Sequence, residues 1–250
     1  MDYNPYSLIG KTILVTGASS GIGKATAVEC ARMGANVIVT GRNQERLEQT
    51  LSLMGAESTQ HHSLFVADLT KETDLQYLVE EIGVIDGLVN NAGVNRIKPV
   101  AFVKNEDLEY IFRNNAFPGV NLTRALLKKK KISKGGSIVF TSSISAFYNA
   151  PGRLLYSGSK AALTSFMRSF AVELADKNIR ANAVHPGMVE THMTAEHISE
   201  DELKRNLGEY PLKRYGKPEE IAWAIIYLLS DAAAWVTGSS LTIDGGFMLK

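Results

Sequence analysis

A doubly wound α/β fold, with a parallel sheet of about seven strands between helices, is predicted by three features of the sequence. Short apolar runs alternate with longer amphipathic ones from one end of the chain to the other, the pattern of repeated right-handed strand–helix–strand units. The runs Ile13-Leu14-Val15 and Val37-Ile38-Val39 are apolar throughout instead of alternating, as in strands covered on both faces. A glycine-rich turn, Gly17 to Gly23, joins the first strand to the first helix.

In chain order, strands are expected at Thr12–Thr16, Asn36–Thr40, Ser63–Ala67, Gly87–Asn90, Ser137–Thr141, Arg180–His185 and Ser240–Ile243. Helices are expected at Ile22–Met33, Gln44–Met54, Asp74–Ile82, Leu108–Lys130, Tyr156–Ala175 and Glu219–Leu229. Pro118 falls inside the fourth of these and should kink it, because proline offers no backbone donor. The stretch from Gly187 to about Tyr215 has no clear period. It follows a strand at the edge where a doubly wound sheet binds ligands, so it is the expected substrate lid. No linker, low-complexity tract or repeat divides the chain, and one Rossmann-type domain over residues 1–250 is expected.

Composition narrows the function by exclusion. With 45% apolar residues, 21% charged residues and a formal net charge of +1, the chain has neither the basic excess of a nucleic-acid binder nor that of a membrane-surface binder. The one basic cluster, Lys128–Lys131, ends a predicted helix, where cations complement the carbonyl end of the dipole. Cys30 is the only cysteine and is read as a core thiol. The first residues lack the charge and apolar length of a signal peptide, and no apolar run reaches the ~18 residues of a membrane span. A cytoplasmic protein is expected. The adjacent His61 and His62 would point apart on an extended chain, and His185, His192 and His197 have no zinc spacing, so no metal is expected.

The turn Thr16-Gly17-Ala18-Ser19-Ser20-Gly21-Ile22-Gly23 places glycines where a backbone can approach a pyrophosphate at a helix N-terminus. Its spacing is G-x-x-x-G-x-G, not the commoner G-x-G-x-x-G. The second strand ends Thr40-Gly41-Arg42, with no acid to accept from the ribose hydroxyls of NAD(H). Arg42 can instead fork onto a 2′-phosphate, so NADP(H) is preferred and NAD(H) is the alternative. Tyr156 and Lys160 are four residues apart, on one face of a helix. A nearby ammonium and an oxidised nicotinamide would both pull the phenol below its ordinary range. Ser143 lies thirteen residues before Tyr156, where its hydroxyl could hold a substrate oxygen.

Gly17 to Gly23, Asn90-Asn91-Ala92-Gly93, Ser143, Tyr156 with Lys160, and Pro186-Gly187 stand in the order and spacing that resemble the classical short-chain dehydrogenase/reductase family, from about Leu8 onward. The resemblance implies hydride transfer between nicotinamide and a ketone or secondary alcohol. Ser143 would hold the carbonyl, Tyr156 would exchange the proton, and Lys160 would bind ribose and tune Tyr156. Asn115 would anchor a proton-relay water, with Asn114 as the neighbouring alternative. Asp68 and Leu69 resemble the pair at the adenine, and Asn91, Ala92 and Gly93 the segment along the cofactor. Pro186, Gly187, Val189 and Thr191 resemble the turn beside the nicotinamide. The C-terminal Val236-Thr237-Gly238 and Asp244-Gly245-Gly246 are similar to 3-oxoacyl-(acyl-carrier-protein) reductases. The substrate expected is therefore a small carbonyl or alcohol compound, including one linked to an acyl carrier. Sugar, polyol and steroid alcohols are the alternative. A homotetramer is implied, with Trp223, Ile225, Ile226, Leu228 and Trp235 as candidate contacts between subunits. A non-catalytic cofactor sensor is disfavoured because Ser143, Tyr156 and Lys160 are all present. An epimerase or dehydratase would need more chain after Pro186.

Overall fold

The computed structural model describes residues 3–55, 60–191 and 207–249. Seven strands form one sheet in the order β3-β2-β1-β4-β5-β6-β7. They are β1 (Thr12–Thr16), β2 (Asn36–Gly41), β3 (Ser63–Val66), β4 (Ile85–Asn90), β5 (Ile132–Thr141), β6 (Arg180–Pro186) and β7 (Ser240–Ile243). Every pairing is parallel. The order reverses between β1 and β4, and the crevice at that switch point is where such sheets take ligands.

The alternation of the pleat explains why the strands read as apolar throughout. Ile13 and Val15 pack on one side of the sheet, with Val28 and Ala31 of α1 (Gly21–Arg32) and Ile221, Ile225 and Leu228 of α7 (Pro218–Leu229). Leu14 points the other way, to Leu75 and Leu78 of α3 (Glu72–Glu81), Leu122 and Leu126 of α5 (Phe117–Lys128), and Leu163 and Met167 of α6 (Leu154–Glu173). Two cores, one on each face, leave the strands no polar side. The helix α2 (Gln44–Met54) follows β2, with Asn43 accepting from the Arg46 amide at its start. Cys30 is fully buried in the first core, and burial pushes its thiol well above the usual range.

Three expectations change here. The helix foreseen over Leu108–Lys130 is two helices, α4 (Asn105–Asn115) and α5, which meet at Ala116. Pro118 occupies the first turn of α5, where a missing donor leaves no bond unmade. The proline therefore starts a helix instead of kinking one, and Asn115 ends α4. The faces of Ile225, Ile226 and Leu228 are used inside the chain against α1, so these residues are not free to join subunits. Trp223 is half-exposed and donates to Glu29 of α1 at 2.9 Å, whereas Trp235 is fully exposed. The lysine run also serves a different helix from its own. Lys131 donates to the Glu80 and Ile82 carbonyls at the end of α3, and Lys129 pairs with Glu80.

Most of the expected lid, together with His192 and His197, lies outside the described residues. No described helix is long and apolar enough to cross a membrane.

Candidate active site

The turn between β1 and α1 is built to receive an anion. Gly17 has φ of +63°, and a Cβ there would come within 2.9 Å of the Ala92 Cα. A Cβ on Gly23 would lie 2.3 Å from the Gly17 carbonyl oxygen and 2.5 Å from the Asn91 amide. The glycines thus let the turn, the helix and the segment after β4 close on one another. Thr16 binds them from below. Its hydroxyl accepts from the Asn91 and Ala92 amides at 2.9 and 3.1 Å and donates to Val89. At α1 no side chain caps the first turn and no acid stands in it, so its amides and positive dipole end face the crevice. Gly23→Ala is expected to destabilise the protein by about 1–3 kcal/mol through overpacking and to weaken nucleotide binding. Denaturant unfolding and a nucleotide titration check this, and wild-type values in both would refute the packing argument.

Beyond β2, a Cβ on Gly41 would meet only ordinary contacts, the Leu47 side chain and the Ser19 hydroxyl at 3.6 Å among them. Arg42 is exposed and lines the crevice, and so does Arg46 of α2, a cation not anticipated from the sequence. Its signal was present: it stands one helical turn from a Gly-Arg strand end. Asp68 accepts from the Thr70 amide and hydroxyl at 3.0 and 2.8 Å. Burial raises the Asp68 carboxyl, but the Thr70 bonds and the positive charges of Arg42 and Lys71 outweigh it and hold the group below its usual range.

At the other end, three elements bring Ser143, Tyr156 and Lys160 together. Ser143 follows β5, and its hydroxyl accepts from the Ser145 amide at 3.1 Å. The preceding Ser142 donates to the Lys160 carbonyl at 3.0 Å and meets the Thr164 hydroxyl, which ties the strand end to α6. His185 of β6, also not anticipated, holds the Ser143 carbonyl at 3.0 Å through Nδ1. Lys160 is buried, with Nζ donating to the Thr141 carbonyl at 2.7 Å and lying 5.7 Å from the centre of the Tyr156 ring. Burial pulls the Lys160 ammonium down to about 8. Burial also pushes the Tyr156 phenol up, against the Ser143 hydroxyl and the Arg153 charge. The lowered phenol expected from the sequence is therefore not a property of the protein alone. The Lys160 ammonium is not among the groups that lower the phenol, which leaves the oxidised nicotinamide as the other charge able to do so.

Asn115 turns its side chain to the protein. Its Oδ1 accepts from the Val94 amide at 2.7 Å, and its Nδ2 donates to the Val94 carbonyl and the Ser159 hydroxyl, both at 3.0 Å. The amide is thereby committed to holding α4, α6 and the segment after β4 together. Asn114, the neighbouring alternative, is half-buried, lines the crevice, and donates to the Tyr110 carbonyl.

One continuous cavity of about 640 Å³ runs between these two ends. Of the residues expected at the site, all line it except Gly23 and Asn115, which stand behind the lining. The turn Pro186-Gly187-Met188-Val189 forms one wall, and Thr191 sits against Gly21. Tyr210, a further residue not anticipated, accepts from the Met188 amide at 3.2 Å and packs on Phe247, with ring centres 5.0 Å apart. The open α1 terminus, the glycine cradle, the two arginines and the buried Lys160 fit a dinucleotide.

A switch-point crevice with an anion-receiving helix end and a hydroxyl–phenol–ammonium group opposite defines a dinucleotide-dependent oxidoreductase. The family model for enoyl-(acyl carrier protein) reductase matches residues 17–248, and the chain belongs to the short-chain dehydrogenase/reductase family, whose members bind NAD(P). The chain is 39% identical over 246 residues to a 3-oxoacyl-(acyl-carrier-protein) reductase of Thermotoga maritima, covering 97% of this chain and 99% of that one. It is similar to a 7α-hydroxysteroid dehydrogenase solved with NADH and a 7-oxo bile acid conjugate (TM-score 0.90, 31% identity, 98% and 97% of the two chains). A structure from Agrobacterium tumefaciens with bound NADP superposes as well (TM-score 0.89, 30% identity, 99% and 100%). The protein is an oxidoreductase that acts on CH–OH and keto groups.

Proposed function

We propose that the protein prefers NADP(H) and interconverts a ketone and a secondary alcohol in a 3-oxoacyl compound, a thioester on an acyl carrier being the form its relative from Thermotoga maritima is named for. The observation that carries this reading is one cavity with Ser143, Tyr156 and Lys160 at one end and Arg42 and Arg46 at the other. Alcohols of sugars, polyols or steroids are the second substrate class, favoured by the likeness to a hydroxysteroid dehydrogenase.

When bound, the nicotinamide supplies or accepts the hydride. The Ser143 hydroxyl hydrogen-bonds the substrate oxygen, and Tyr156 gives its proton to that oxygen in reduction or takes it in oxidation. Lys160 binds the ribose and stabilises the phenolate left after reduction, while Arg42 pairs with the 2′-phosphate. Glycines 17, 21 and 23, with Ser19, Ser20 and Ile22, hold the pyrophosphate at the α1 terminus. Asp68 and Leu69 contact the adenine, and Asn91, Ala92 and Gly93 run along the ribose. Pro186, Gly187, Val189 and Thr191 seat the carboxamide side. Asn115 acts through its position at the end of α4, placing a relay water behind Lys160. The unit is one domain, in the cytoplasm, assembled as a homotetramer.

A panel of ketones and secondary alcohols, read by the absorbance of reduced nicotinamide with each nucleotide, tests the reading. Turnover of 3-oxoacyl compounds with NADPH is expected, and their inertness beside a fast sugar or steroid alcohol would replace the first substrate class by the second. A pH profile tests Lys160 separately. Its folded value of about 8 lies below the 10.5 of an ordinary lysine ammonium, so the charge is present through neutral pH and is lost above about 8. The kcat/KM for reduction should accordingly hold to pH about 8 and then fall, with the fall absent in Lys160→Met.

A further inference from the structure

Four cations line the cavity, namely Arg42, Arg46, Arg153 and Lys160. Arg42 and Arg46 stand at the end of β2, and Lys160 is bonded to Thr141. Arg153 is left for the substrate half. It precedes the first residue of α6 and stands three residues before Tyr156, one helical turn away on the same face. The guanidinium is close enough to act on the Tyr156 phenol by charge. It is half-buried, and among the described residues no carboxylate pairs with it. The described lining holds two carboxylates. Asp68 belongs to the β2 end, and Glu209 acts on Tyr210 and Tyr215 instead. The same cavity is lined by an aromatic group in which Tyr148 meets Phe247 edge-on at 5.2 Å and Phe247 packs on Tyr210. A guanidinium beside the reacting group, with no carboxylate partner among the described residues and aromatic rings in the same cavity, is arranged for a planar anion. Low local polarity strengthens such a contact, and the flat fork of arginine matches a carboxylate.

We propose that Arg153 binds a carboxylate of the substrate, so that the compound reduced is a short oxo acid with its carboxylate a few bonds from the ketone. This rests on the 3-oxoacyl reading above and narrows it. A 3-oxo acid keeps that skeleton, but where a thioester presents a neutral carbonyl it presents an anion within reach of a residue one turn from Tyr156.

The test compares acetoacetate with its methyl ester, which has the same skeleton without the charge. Reduction with NADPH is measured for wild type, Arg153→Gln and Arg153→Lys, each shown by circular dichroism to be folded. Wild type should favour the acid. In Arg153→Gln the KM for acetoacetate should rise about tenfold more than that for the ester, the scale of one charge-assisted contact. Arg153→Lys should fall between, because it keeps the charge and loses the fork. Equal losses on acid and ester, or a wild type that reduces the ester and ignores the acid, would overturn the carboxylate role and leave the 3-oxoacyl reading standing. Turnover of neither compound would overturn the carboxylate role, and inertness of a 3-oxoacyl thioester as well would overturn both.

Discussion

Tyr156→Phe is expected to cut turnover by roughly a hundredfold or more while leaving folding and nucleotide affinity nearly intact, the usual scale for loss of a positioned proton donor. The structure explains why this substitution is a clean one. The ring stays in place for the Lys160 ammonium 5.7 Å away, and Ser143, held by Ser145 and His185, does not depend on the phenol for its position. Only the hydroxyl is lost. Phenylalanine has no proton to give or take, so a change of pH within the neutral range should not restore the lost rate. Steady-state turnover alongside a thermal melt and a nucleotide titration makes the measurement. A Tyr156→Phe enzyme that works at near wild-type rate would remove Tyr156 from the chemistry.

The second large effect is expected in nucleotide choice. Arg42→Ala should weaken NADPH binding and leave NADH almost unchanged. Arg42 is exposed, so its contact belongs near the lower end of the ~1.5–3 kcal/mol for a bond to a charged group, or about tenfold in affinity. Removing Arg46 as well should deepen the loss, since both cations line the same end of the cavity. Gly41→Asp should do more than either single change. Its side chain enters space where even a Cβ meets nothing closer than 3.6 Å. The carboxylate would repel a 2′-phosphate yet accept from a bare ribose, turning the preference toward NADH. Titration of both nucleotides against these variants decides the matter. If wild type bound NADH as tightly as NADPH and Arg42→Ala altered neither, Arg42 would be a solvated residue at a helix start.

The sequence by itself determined the sheet and most of what lines the cavity. Strands such as β1 and β2 are legible because both their faces are covered, which demands apolar residues at every position. The turn from Gly17 to Gly23 is legible because close backbone approach excludes side chains, and glycine is the residue that permits it. Ser143, Tyr156 and Lys160 could be picked out by type and order, as the set the family resemblance implies.

Tertiary structure decided what depends on neighbours distant in sequence. Pro118 can kink a helix or start one, and local pattern does not separate the two; the packing of α4 and α5 around Ala116 does. The bonds of Asn115 to Val94 and Ser159 span 21 and 44 residues, so its commitment to the scaffold is invisible locally. Lys131 caps a helix whose end lies 49 residues earlier. The direction of the Tyr156 shift is set by burial, and burial is a property of the assembled crevice. Arg153, Arg46 and Tyr210 carry no motif. They become part of the site only because α6, α2 and the segment before α7 bring them to one cavity, where a charge or a hydroxyl acts over a few ångströms whatever its place in the chain.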